Sequence, residues 1–489
     1  MRLFPMNAGK TRARLVLAGA VVASVTLVAG CGSTYRPVVT PITSSGPAAQ
    51  VTSYVVVVSS PSTTTPGVVT IIDYSGDTVL AAAPIGPGPS AFTLDATGSN
   101  GYTLNSDGTL SNFPITTSLQ AKLVTYSTLS SATQSGPPHP PVNILSPASG
   151  LWTADPNGNY VDIFSGSPQA FKLAVPVALT PVTIAGQGTN GQYNYAISQN
   201  IANPTGVECN NSPATGPNGM ADVLGTFTDT VSASLPLGKC PVYGVESSDL
   251  RRFFVLNRGS DTITVINSQT STLDSCTPFL NQFGQTVTCH PSLPVSPAPD
   301  HMHAGPVYAE YNSATSQLVV ANYDGNSISV IDVSLDEYGN DSATFGTTFT
   351  IPVGNNPASV TVLADGSRAY AANQTDQTVS IVNLSSHTVE KTLPVIGHPR
   401  TVVSTQNSTK GKVYVASPDS PYLTILRTDL DIVDTTVLVQ GNIVDVRTTT
   451  QTGSNGNANE VSRVPGYGEP CYLPGVTAQA TLAACQTLP

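Results

Sequence analysis

The sequence predicts an all-β protein, a single β-propeller of four-stranded antiparallel blades, eight in number with seven as the alternative. Three observations carry that prediction. Short runs alternate between apolar and polar residues, as in T-V-S-I-V-N-L at 378–384, and this period of two marks a strand with one buried face. A four-part unit built on such a run recurs along the chain, and a small sheet with two apolar faces needs neighbours of its own kind to cover them. Only 10% of residues are charged, against 41 Gly, 40 Pro and abundant Ser, Thr and Val, a composition that disfavours helices.

The amino terminus reads as an export signal. Residues 1–14 carry Arg2, Lys10, Arg12 and Arg14 and no acid; 15–28 are apolar, and Ala29-Gly30-Cys31 follow. The apolar run is short for a transmembrane helix. The small residues before Cys31 resemble the lipobox of bacterial lipoproteins, with Leu27 one place further upstream than in the commonest form. That resemblance implies removal of 1–30, lipid on Cys31 as the membrane partner and, because Gly32 rather than Asp follows, the outer membrane in a two-membrane cell. Residues 31–52, rich in Ser, Thr, Pro and Gly, suit a flexible tether. The propeller is expected over 53–450, with a tail at 451–489.

Within the propeller, anchor strands recur as Y-V-V-V-V at 54–58, Y-T-L-N at 102–105, L-W-T-A-D at 151–155 and Y-N-Y-A-I-S at 193–198. They continue as F-F-V-L-N at 253–257, L-V-V-A-N at 318–322, A-Y-A-A-N at 369–373 and V-Y-V-A-S at 413–417. The strand after the anchor repeats as V-V-T-I-I-D (68–73), T-I-T-V-I-N (262–267), S-I-S-V-I-D (327–332) and T-V-S-I-V-N (378–383). Corners at Gly88-Pro89, Gly305-Pro306, Asn356-Pro357 and His398-Pro399 precede inner strands. Such anchors at blade-like spacing describe a propeller. The second anchor is the weakest, which keeps seven blades open. The run N-I-V-D-V-R-T at 442–448 follows the start of the last blade and is expected to pair beside 54–58, closing the ring and leaving no exposed edge.

This pattern, Y-V-x-N, then V-x-V-I-D, then P-V-G-x-x-P, resembles the YVTN-type propeller repeat of bacterial and archaeal envelope proteins, most closely over 318–400. Lactonase-type and quinoprotein enzymes use related propellers.

Setting Cys31 aside, the six remaining cysteines of an exported chain suggest three disulfides. Nearest-neighbour pairing gives Cys209–Cys240, Cys276–Cys289 and Cys471–Cys485; the sequence alone leaves other pairings open. Close C-x-x-C pairs of the zinc type are absent.

Function is expected on the face where outer-to-inner corners and second-to-third-strand loops emerge. Insertions at 201–221 and 268–306 map there or nearby, and Cys209–Cys240 would join two loops of that face. His139, His303 and His398 sit just before corner prolines, and His301 and Asp300 lie beside His303. With them a transition metal or haem iron is a candidate ligand, although no cofactor is expected outright. Asp95, Glu246, Glu310 and Asp445, with Arg400 and Arg447, are expected on the inner strands that line the channel, either as acid–base groups or as channel lining and ring-closing partners. No nucleophile elbow, H-E-x-x-H or haem-attachment motif occurs. Asp155-Pro-Asn-Gly-Asn159 and Asp324-Gly-Asn326 read as hairpin turns in preference to calcium loops. The formal charge of −11 without a basic cluster argues against nucleic acid. The expectation is a lipid-anchored envelope scaffold that binds a protein, glycan or small ligand at its loop face, with an enzyme or metal protein as the alternative.

Overall fold

The computed structural model describes residues 53–449, apart from 96, 130–140, 148, 187–191, 203–208, 210–215, 282–283 and 285. Cys31 with the signal and tether, His139, and the tail with Cys471 and Cys485 lie outside the described residues. Among the described residues eight antiparallel blades follow one another along the chain, seven of four strands and one of five, and a two-stranded ribbon of Phe279–Leu280 and Thr286–Val287 stands apart from them. This is the expected eight-bladed propeller, and the second blade is genuine.

Each blade runs from an inner strand outward. In the seventh these are Pro357–Val362, Arg368–Asn373, Thr378–Asn383 and Thr388–Pro394. The first blade is the exception. Its inner strand, Asn442–Thr448, comes from the far end of the sequence and pairs antiparallel with Tyr54–Ser60, Val57 opposite Val446. Ends of the chain therefore share one sheet, as the sequence predicts. Alternation sends one set of side chains to each neighbouring blade. Phe164 and Leu151 of the third blade pack with Leu104 and Leu110 of the second, while Trp152 and Ile163 pack with Ile184 and Leu224 of the fourth.

Corners repeat one backbone device. Cys240, Gly305 and Asn356 have φ of 47°, 58° and 54° and each stands directly before a proline that starts an inner strand. That proline faces the last residue of the second strand, and the register slips immediately after it, as at Pro357/Ser359. Proline fits because a bulge needs no ladder donor there. At Gly305 a Cβ would stand 2.0 Å from the Asp324 carboxylate, so a side chain is excluded as well as strained.

A second device joins the second strand to the third. Asn105, Asn257, Asn322 and Asn373 each donate from Nδ2 to a hydroxyl, Ser111 at 2.8, Thr264 at 2.9, Ser329 at 2.9 and Ser380 at 2.8 Å. The Asn of the repeat is thus a structural clasp.

Inner strands pair on one side only, so their other edge carries polar backbone that must find partners. Side chains from adjacent inner strands supply them. Ile184 N–H donates to Asn143 Oδ1 (3.0 Å), Thr183 Oγ1 to Val242 O (2.9 Å) and Val402 N–H to Ser359 Oγ (3.0 Å). Val362 N–H donates to Glu310 Oε2 at 2.5 Å, and Glu310 is fully buried. Arg400 donates to Val444 O and Arg447 to Phe92 O, carrying the stitching across the closure.

Replacing Glu310 by Ala removes the acceptor of a buried amide and is expected to cost about 1–3 kcal/mol. Glu310→Gln keeps an acceptor and is expected to cost less, as urea denaturation of the two variants will measure.

Candidate functional site: the corner-loop face

The two ends of the blades differ. Corners and second-to-third-strand loops emerge at one end, inner-to-second and third-to-outer turns at the other. Clasps between blades hold both, but with different chemistry.

At the corner end side chains of several corners meet loops in their own or the next blade. His398 Nδ1–H donates to Asp419 Oδ2 (2.7 Å), its backbone N–H donates to Asp419 Oδ1 (2.8 Å), and Gln377 donates to its Nε2 (3.0 Å). Asn355 donates twice to Asp376, both at 2.8 Å. His303 Nδ1 lies 2.9 Å from Asp261 Oδ2, and Asp261 Oδ1 accepts from Ala304 and Gly305 N–H. Asn326 donates to His301 Nε2 at 3.0 Å. Arg258, 3% exposed, makes a two-pronged pair with Asp324 at 2.9 and 3.0 Å and reaches the carbonyl of Cys209 at 3.3 Å. Such forked pairs fix geometry as well as charge.

The Cys209–Cys240 bond forms, with Cα atoms 5.5 Å apart, and ties the fourth-blade loop to the corner behind it. Cys276–Cys289 forms too. It closes an excursion that splits the fifth blade's outer edge into Thr272–Leu273 and Ser292–Pro294, both paired with Thr262–Asn267.

His301, His303 and His398 therefore each answer to a local partner. Asp300 is exposed. Among the described residues no three of His, Cys, Asp or Glu stand where they would share a metal ion. Between His301 and His303 the chain presents Met302, 88% exposed.

Of the inner-strand candidates, Glu310, Asp445, Arg400 and Arg447 are engaged in the ring. Glu310 and Asp445 are fully buried and Glu246 is 6% exposed, so they are not solvated channel lining. Asp445 accepts from Thr401 Oγ1 at 3.1 Å and pairs with Arg447. Asp95 lies one residue past Pro89–Leu94 and organises the following turn, accepting from Ser99 N–H and Asn100. Asp155 likewise takes the N–H groups of Asn157 and Gly158, the hairpin-turn role.

The other end holds ion pairs, buried at Lys412–Asp77 and at Arg252 with Asp341 and Asp274, and more exposed at Lys172 and Arg368. Lys412 reaches Asp77 across the closure, Arg368 reaches Asp431, and Lys172 reaches Asp229. Arg252 lies 2.9 Å from Asp341 and 3.3 Å from Asp274, and Asp341 also takes His290 Nδ1 at 2.7 Å. Sequence reasoning missed Asp261, Asp376, Asp419 and Asp341 as partners. For the first three a signal existed, a carboxylate two to four residues past the end of the anchor strand.

A groove of about 440 Å³ on the first blade is lined by Pro61, Pro66, Val68, Ala83, Pro84 and Gln440 among others, with no ionisable group. It offers no acid–base chemistry.

No family model matches the sequence, and no curated protein does. Among solved structures, apo AztD from Citrobacter koseri aligns with a TM-score of 0.54 at 12% identity, over 82% of this chain and 98% of that one. The dihydro-heme d1 dehydrogenase NirN, in complex with DHE, aligns with a TM-score of 0.52 at 13% identity, over 83% and 78% respectively. At these identities the likeness is one of fold.

Burial, opposed by Arg252 and reinforced by Asp341, pushes the Asp274 carboxyl up from 3.8 to about 6. The folded state then binds more protons than the unfolded state between those values, so this group's contribution to stability falls as pH rises from 3.8 to about 6. Asp274→Asn is expected to flatten the melting temperature over that window, as differential scanning calorimetry will show.

Proposed function

We propose that this chain is an exported propeller that works by recognition, holding a protein, glycan or small ligand on its corner-loop face and tethered to the envelope through lipid on Cys31. One observation carries the reading: where the polar side chains are spent. On or beside the inner strands Glu310 and Asp445 are buried and bound to neighbouring strands, and Arg400 and Arg447 reach neighbouring carbonyls. The polar side chains of the corner face form a braced, partly exposed surface around Met302. Loops held on a rigid ring suit binding, and the fold by itself implies no reaction.

Export is supported by the two disulfides, which persist in oxidising compartments. Among the described residues no helix is long and apolar enough to cross a membrane. The YVTN-type assignment is supported by the recurring Asn clasp and the corner at Asn356-Pro357. A lactonase- or quinoprotein-like enzyme is the competing class and would draw on Glu246 or its neighbours at the channel.

Native mass spectrometry of the protein extracted from its own envelope tests the reading. A bound species is expected on the wild type, with occupancy reduced about tenfold by Asp300→Lys with Met302→Glu. Loss of that species on Glu246→Gln, with the face variant unaffected, would contradict it.

A second reading rests on Met302. Exposed between two imidazoles, it makes the edge His301–Met302–His303 a candidate for a transition metal, with Asp261 orienting His303 as a second-layer carboxylate does. Metal content after purification without a histidine tag measures this. Metal-free protein whose melting is unchanged by zinc or copper would exclude it.

A further inference from the structure

The third blade breaks the Asn clasp in an unusual way. Where four blades place Asn on the second strand and Ser or Thr on the third, it places Asp155 and Asp162. The register is the same: Asp162 lies opposite Thr153, as Ser329 lies opposite Val320 and Ser380 opposite Ala371. A donor and an acceptor have been exchanged for two carboxylates.

Strand alternation puts Thr153, Asp155 and Asp162 on one face of the sheet, the face whose Leu151 and Phe164 pack against the second blade. All three are 0% exposed. Neither Asp162 oxygen has a hydrogen-bond partner among the described residues, and neither has the Thr153 hydroxyl beside it. The contrast with the fourth blade is direct. There Asp222 occupies the position of Asp162, opposite Ala196, but accepts from Ala178 N–H at 2.6 Å and from the Ser234 hydroxyl. Lys172, on the outer strand of the third blade, is committed to Asp229.

A buried carboxylate without donors costs several kcal/mol unless something positive stands beside it. A proton would quench one charge but leave the second Asp162 oxygen and the Thr153 hydroxyl unmatched. A cation addresses all of them together. The donor set is oxygen only, with neither sulfur nor imidazole, which selects a hard ion. We propose that Asp155, Asp162 and Thr153 form a site for a divalent cation of the calcium class, its remaining coordination completed by water, at the third-blade face that packs against the second blade. Asp155 Oδ1 is held by the turn N–H groups of Asn157 and Gly158, which orients the carboxylate before the ion arrives.

The test uses the full chain and terbium as the probe. Trp152 is the only Trp in the sequence and adjoins Thr153, so a terbium ion at this site would be sensitised by tryptophan excitation. Expected are sensitised emission that calcium displaces, and a melting temperature that calcium raises and a chelator lowers. Asp155→Asn with Asp162→Ser installs the pair that the sixth and seventh blades already use. This variant is expected to keep the wild-type circular dichroism, lose emission about tenfold and melt independently of calcium. Emission unchanged in the variant would overturn the site. So would a wild-type melting temperature that follows pH but not calcium and is flattened by Asp162→Ser, because the pair would then share a proton. Should the variants fail to fold, calcium-dependent melting of the wild type decides alone.

Discussion

A propeller blade leaves one row of backbone polar groups facing the centre of the ring, and everything else in this protein depends on how that row is satisfied. Eight inner strands cannot pair with one another through the backbone. Here side chains bridge them, from Asn143 to Ile184, from Glu310 to Val362, from Ser359 to Val402 and from Arg447 to Phe92. Unpaired, each buried amide would cost on the order of 1–3 kcal/mol, comparable to a large part of a domain's net stability when summed around the ring. The stitching explains why charged residues stand at the most buried positions of a chain that is otherwise poor in charge.

That constraint divides the residues by role. Glu310, Asp445, Arg400 and Arg447 hold the centre. The first and last strands of the ring share one sheet, and Lys412–Asp77 spans the same junction at the turn end, so closure is secured twice. On the proposed reading recognition falls to the corner end, where the bonded side chains lie at the rim and stay partly exposed. The Cys209–Cys240 bond and the Arg258–Asp324 fork stiffen that rim around the fourth to sixth blades. Loops fixed in this way lose little entropy on binding, which favours recognition over a closing lid.

Much of the fold was legible because the repeat states it many times. Anchor strands, corners before proline and the closing strand at 442–448 are short-range patterns, and each was readable at its own position. Nearest-neighbour pairing of Cys209–Cys240 and Cys276–Cys289 followed from the same map. Contacts between blades were not legible. Arg258 and Asp324 are 66 residues apart, and His290 and Asp341 are 51 apart. A period of two says which face a side chain occupies, but not which neighbour it reaches across a blade junction. For that reason the inner-strand carboxylates read equally as channel lining or ring partners, and the corner histidines as a ring, when His301, His303 and His398 have local carboxylate or amide partners. Asp155 and Asp162 show the reverse case. Both were visible in the sequence, and only their alignment with the Asn–Ser pairs of other blades reveals what they replace.

Hydrogen exchange at the inner strands tests the central claim most directly. The amides of Ile184, Val362 and Val402 face the ring's centre and are held only by side chains of the adjacent strand. If the stitching is what closes the ring, these amides exchange as slowly as those of Tyr370 and Ala371 in the seventh-blade ladder, opening only with global unfolding. Fast exchange at the three amides in an otherwise protected protein would mean that water satisfies the inner edges, and that the polar residues of the channel are available for chemistry after all.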